Sequence, residues 1–92
     1  NHSDSFIEEV TGTYLYQLPN SQEPYLAELV KNGKYLEVIN PEGEVEERLI
    51  AESDSVFIDL TDGDVLTFTQ LGDSVVFDWN GMFTFIKQSQ QD

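Results

Sequence analysis

Apolar and polar residues alternate in short runs along this chain, and a turn dipeptide closes most of the runs. The reversals are marked by Asn32-Gly33, Asp62-Gly63, Gly72-Asp73 and Asn80-Gly81, with Pro41-Glu42-Gly43 as a looser one. Type I′ and II′ turns require φ > 0, which Asn, Asp and Gly supply at low cost, so the pattern predicts tight two-residue hairpins. Between the turns, β-rich runs cover residues 10–17, 24–31, 34–40, 44–51, 55–60, 65–71, 74–79 and 82–88. A helix competes only in PYLAELVKNGKYLEV, where Leu26, Leu29 and Val30 share a helical face. Asn32-Gly33 followed by Tyr35, Leu36, Val38 and Ile39 favours a hairpin there instead.

Successive hairpins make an antiparallel meander, and a meander of short strands leaves two exposed edges unless it closes. The predicted fold is therefore all-β: a small eight-stranded antiparallel up-and-down barrel or a strongly curled meander. It forms one domain over residues 1–92, with 1–6 and 89–92 as frayed ends. Eight strands enclose a bore that side chains can fill, or that leaves room for one small ligand.

Counting back from two-residue turns fixes which side chains share a face. Phe57 falls opposite Phe68, Phe68 opposite Phe77, Leu66 opposite Trp79, Trp79 opposite Met82 and Val75 opposite Ile86. The expected core is thus Phe57, Leu66, Phe68, Val75, Phe77, Trp79, Met82 and Ile86. The other face gathers Val56, Ile58, Val76, Phe83 and Phe85, too apolar for a sheet wetted on one side. These five are a candidate interaction face. The alternatives are that a bulge swaps the facing, or that the amino-terminal segment covers the patch.

Composition narrows the partners. With 39% hydrophobic and 12% aromatic residues the chain can build a core, and no stretch approaches the ~20 consecutive apolar residues of a membrane helix, so no membrane insertion is expected. Eighteen acidic against four basic residues give a formal charge of −14. Nucleic acid and anionic lipid are therefore poor partners, since phosphate binding needs clustered Lys and Arg. The acidity fits solubility in a salty or extracytoplasmic setting, a cationic or basic-protein partner, or mimicry of a DNA surface. Cysteine is absent, which excludes a disulfide framework. The chain begins at Asn1 without a basic, apolar leader, as expected of processing or excision from a longer protein.

Catalytic chemistry is poorly supplied. The sole histidine, His2, stands at the terminus, and no cysteine exists to join it, so neither a Ser-His-Asp site nor zinc is expected. Asp59-Leu-Thr-Asp62-Gly-Asp64 carries calcium-type oxygens but lacks the spacing and closing glutamate of an EF-hand, and reads as a turn. Glu28 and Glu37 fall opposite each other in the predicted register, where a solvated outer pair is expected rather than an acid/base couple. Glu42, Glu44, Glu46 and Glu47 likewise read as a solvated turn and strand. No enzyme activity, cofactor or metal is expected. Aromatics are richer: Tyr14, Tyr16, Tyr25 and Tyr35 join six phenylalanines and Trp79. Among them Tyr14, Tyr16, Phe57, Phe68, Phe77 and Trp79, with Leu66, are candidates for core filling or for lining a small apolar ligand or sugar ring.

Gly12-Thr13-Tyr14 opening the first strand, Leu66-Thr67-Phe68 in the sixth and Phe83-Thr84-Phe85-Ile86-Lys87 in the last complete the pattern. In these the chain resembles the small lipocalin-like domain of unknown function that follows the catalytic domain of serine beta-lactamase-like and D-aminopeptidase-like hydrolases. The resemblance spans about residues 6 to 88. It implies a lipocalin/streptavidin-like barrel in a bacterial, exported protein, periplasmic or secreted, with catalysis in a neighbouring domain. The Ser-x-x-Lys of the hydrolase is missing here, so no catalytic residue is carried over. The functions expected are an accessory domain packing its apolar outer face on a hydrolase domain or a second protomer, a calycin-like ligand-binding barrel, or an acidic inhibitor.

Overall fold

The computed structural model describes residues 7–16 and 23–89. The predicted frayed ends, apart from exposed and irregular Ser89, lie outside these residues, as do His2 and Gln17. The strands are β1 (Gly12–Tyr16), β2 (Tyr25–Asn32), β3 (Tyr35–Ile39), β4 (Val45–Ala51), β5 (Val56–Ile58), β6 (Val65–Leu71), β7 (Ser74–Trp79) and β8 (Phe83–Lys87). Each pairs antiparallel with the next, and β8 returns to β1, giving a closed barrel in chain order. Closure removes both edges, and with them the unpaired backbone groups that an open meander would present. The seam is short: Tyr14 stands opposite Lys87 and Leu15 opposite Ile86. Gln88 N–H extends it by donating to the Thr13 carbonyl at 2.8 Å. No helix runs through residues 24–38, which form the β2–β3 hairpin.

Inward positions on every strand fill the bore. Tyr14, Leu29, Leu36, Leu49, Phe57, Leu66 and Phe77 are fully buried, and Phe68 and Phe85 nearly so. The rings interlock: Phe57 meets Phe68 edge-on at 5.5 Å, Tyr14 meets Phe77 at 4.9 Å, and Phe85 stacks on Phe77 at 4.7 Å with 7° between planes. Each such pair adds about 0.5–1.5 kcal/mol beyond the area it buries. One end of the bore is closed by a single helical turn, residues 7–10, which buries Ile7 and Val10. The Tyr14 hydroxyl donates to the Val10 carbonyl at 2.9 Å and fastens this plug. Gly12, the first residue of β1, has φ +137°, a conformation that side-chain-bearing residues rarely adopt, so a substitution there is strained; an added Cβ would also lie 2.8 Å from Cε of the flexible Lys87 side chain.

Three hairpins depart from the predicted register. In β2–β3 the turn residues are Gly33 and Lys34, so Asn32 faces Tyr35 and Glu37 faces Val30 rather than Glu28. In β5–β6 the loop runs over 59–64, so Phe57 faces Leu66 rather than Phe68. Both slips are by two residues and leave every side chain on its predicted face. At β7–β8 the slip is by one. Asn80 and Gly81 adopt φ 57° and 70° as a type I′ turn requires, and Met82 N–H closes it onto the Trp79 carbonyl at 3.0 Å. The ladder then resumes with Trp79 opposite Phe83 and Phe77 opposite Phe85, leaving Met82 as an extra residue.

That bulge swaps the facing of β8. Phe85, predicted on the outer face, is 3% exposed, whereas Met82 and Ile86, predicted in the core, are 68% and 47% exposed. Val56, Ile58 and Val76 remain on the outer wall, half-buried. Phe85→Ala is expected to cost ~3–5 kcal/mol as a large-to-small core change, and Ile86→Ala less than ~1 kcal/mol. Urea denaturation measures both, and the reverse order would place Ile86 inside.

Candidate functional site

The end opposite the helical plug is framed by the β1–β2, β3–β4, β5–β6 and β7–β8 connections. Tyr16 ends β1 and Tyr25 begins β2, directly opposite each other, while Trp79 ends β7 and Phe83 begins β8, again opposite. Because β1 and β8 are neighbours across the seam, the two aromatic pairs converge. Phe85, one inward position below Phe83, forms their floor, with ring centroids 5.4 Å from Tyr16, 6.2 Å from Tyr25 and 5.8 Å from Trp79. Phe83 stands edge-on to Tyr16 at 5.5 Å. These five rings line an open cup of about 290 Å³. Two other hollows are as large, one at residues 73–75 and 87–89 and one beside Thr13, Glu28 and Asn40. Both have mixed polar and apolar linings, whereas the cup is lined almost wholly by apolar surface, so it is the lining that sets it apart.

The predicted ligand-lining residues therefore divide. Tyr16 and Trp79 line the cup, while Tyr14, Phe57, Leu66, Phe68 and Phe77 fill the bore beneath it. The predicted interaction residues Phe83 and Phe85 leave the outer face for the cup, and Val56, Ile58 and Val76 stay outside. Tyr25 completes the cup. Its hydroxyl pKa is raised by burial and then by the charges of Glu46 and Glu42, so carboxylate field reaches the rim.

Behind Trp79 lies a group of carboxylates. Val38 faces Glu47 in the β3–β4 ladder, but Ile39 faces Val45, so Glu46 is extra. This second bulge turns Val45 outward and Glu47 inward, leaving Glu47 only 3% exposed where a solvated side chain was predicted. Glu47 meets Asp59 and Asp64 of the β5–β6 loop. Asp59 organises that loop, accepting the N–H of Arg48 at 3.0 Å and of Thr61 at 2.8 Å. Asn80 ties the loop to the β7–β8 turn, donating to Asp64 Oδ1 at 2.9 Å and accepting the Val65 N–H at 2.7 Å.

Burial, then hydrogen bonding to Asp64 and Asp59, pushes the Glu47 carboxyl up to about 10 from 4.5. Hydrogen bonds from Glu47, Asn80 and the Trp79 indole hold Asp64 below its ordinary range. Burial opposes ionisation of Asp59, but the bonds from Glu47 and the backbone of Arg48, Thr61 and Asp62 outweigh it and hold it low too. Glu37, the other half of the predicted Glu28 pair, instead binds Arg48 Nε at 2.8 Å and Asn32 Nδ2 at 3.2 Å.

Comparison with protein families, curated proteins and solved structures finds no significant match.

The pH dependence follows from the directions. Between pH ~4.5 and ~10 the native Glu47 keeps a proton that the unfolded chain has lost, so this group's contribution falls as pH rises. Asp59 and Asp64 act oppositely: their contribution is present above the unfolded value of 3.8 and is lost as pH falls through their lower native values. Denaturation between pH 5 and pH 9, with chelator present, is expected to show declining stability in the native protein and a flatter profile in Glu47→Gln. An unchanged slope in the variant would place the titrating group elsewhere.

Proposed function

We propose that this chain is a non-catalytic binding barrel that takes the apolar head of a small ligand in the cup at its open end. One observation carries the reading: Tyr16, Tyr25, Trp79, Phe83 and Phe85 converge on an open apolar cavity at the mouth of a barrel whose bore is filled by a buried hydrophobic cluster. Among the described residues no side chain stands over these rings, and apolar rings in an open cavity are stabilised when something dry covers them. The volume, about 290 Å³, suits a single ring or a trimethylammonium-sized group, not a whole lipid. Charge refines the class. A chain of net charge −14, with Glu42 and Glu46 acting on Tyr25, repels anions and favours an organic cation against the ring faces. The family resemblance adds a setting, an accessory domain beside a hydrolase in an exported protein, but no residue to the argument.

Trp79 is the only tryptophan and reports directly on the cup. Choline should change its emission saturably at low salt and bind more tightly than the neutral isostere 3,3-dimethylbutanol. Phe83→Ala, at a ring already 41% exposed, should fold normally and weaken binding roughly fivefold to thirtyfold, the worth of one cation–π contact of about 1–2 kcal/mol. Silence of Trp79 toward both compounds would remove the reading.

A second reading, docking through the outer wall, is favoured by a different row of residues from the one the sequence suggests. Leu26 faces Leu15, Leu15 faces Ile86 and Ile86 faces Val76, an apolar line across four adjacent strands with Leu26 and Ile86 about half exposed. Two copies repel at low salt, so self-association through this wall is expected only at ~1 M salt, where screening shortens to ~3 Å, and Ile86→Lys should abolish it. Sedimentation as a monomer in both salts would leave the wall without this role.

A further inference from the structure

We propose that Glu47, Asp62 and Asp64 bind a calcium-class divalent cation at the barrel mouth, against the back of the aromatic cup. One carboxylate oxygen from each lies within 4.8 Å of the other two. That is the widest separation of two oxygens on one ion at ~2.4 Å, inside the calcium range. The second observation is independent of this clustering. Glu47 Oε1 is buried and meets no N–H or O–H donor, in a side chain only 3% exposed and turned into the group. A native chain rarely leaves such an atom without a partner. Its neighbours are carboxylates, acceptors like itself, joined by the proton Glu47 shares with Asp59 and Asp64 when no cation is bound, and a cation entering the group releases that proton to solvent. Among the described residues no basic side chain fills that role: Arg48 reaches Glu37 instead, and Lys87 donates to the Glu9 carbonyl at the plugged end.

The donor set decides the kind of ion. Carboxylate oxygens without nitrogen or sulfur select hard cations over zinc or copper. Magnesium holds most of its water and demands octahedral geometry, whereas calcium accepts an irregular set completed by water. The site is arranged for such completion: Glu47 is buried beneath, Asp64 is partly covered and Asp62 is exposed, which gives the ion a route in and room for water. Asp59 stays as the loop's anchor through its bonds to Arg48 N–H and Thr61 N–H. Because Trp79 donates to Asp64, the ion and the cup share one side chain.

That contact supplies the test. Terbium, a calcium-sized luminescent probe, should emit on excitation of Trp79, and calcium should displace it. Calcium should also raise Tm by on the order of 5–10 °C at ~10 mM, given the millimolar to submillimolar affinity of extracellular calcium modules. The comparison uses sodium chloride at matched ionic strength, because an acidic chain gains stability from screening alone. Glu47→Gln and Asp62→Asn should each abolish both signals, and the second, at an exposed position, should leave the fold intact. A calcium effect equal to that of sodium chloride, or one that survives both substitutions, overturns the assignment and leaves a proton as the link between the carboxylates.

Discussion

A β-strand has two faces, and the residue left over at Met82 decides which of them β8 turns inward. With Asn80 and Gly81 at positive φ and the ladder resuming at Phe83, Phe85 enters the bore and stacks on Phe77. Phe85 touches three of the cup's rings from below and the core from above, so the same ring ends the packed interior and begins the open mouth. Without the bulge, Met82 and Ile86 would point inward and the cup would have no floor. The filled bore and the aromatic mouth thus have one cause, a single-residue offset in one hairpin.

The number of strands, their order and the aromatic centre of the interior were legible because they depend on turn chemistry and period-two alternation, whereas the inward residues of β2 to β4, Ala27, Leu29, Leu36, Val38 and Leu49, were not assigned. Register was legible only to parity. At Asn32-Gly33 and Asp62-Gly63 the ladders slip by two, which changes partners but not faces, so Phe57, Leu66, Phe68 and Phe77 reach the core regardless. Gly72-Asp73 behaves as a two-residue turn, and Phe68 faces Phe77. Asn80-Gly81 also makes a two-residue turn, yet the bulge after it shifts the ladder by one, and a dipeptide carries no mark of that residue.

The site was less legible because it belongs to no single hairpin. Tyr16 and Tyr25 flank one connection and Trp79 and Phe83 another, and only closure of the seam sets them side by side. Glu47 was hidden differently. It follows three nearby glutamates that read as solvent-facing, and the β3–β4 bulge sends Val45 out and Glu47 in. A valine exposed and a glutamate buried on the same strand contradict local pattern, and such contradictions concentrate where folds carry function. The segment 59–64 had the oxygens of a cation site in view, but its buried partner comes from another strand.

The two barrel ends are finished differently. At the plugged end, Ile7 and Val10 cover the bore, Tyr14 locks them there and Gly12 lets the chain pass close to Lys87. At the mouth, rings face water and a carboxylate is buried among carboxylates, both of which cost native stability. A ninety-two-residue barrel has little interior to spare, and directly below the cup Phe85 stacks on Phe77 at 4.7 Å. The binding proposed for the cup is therefore shallow: one ring or head group seated there, with the remainder of the molecule outside on an acidic rim. On that proposal, discrimination rests on charge and ring contact more than on shape, in keeping with a net charge of −14 and five aromatic residues lining the cup.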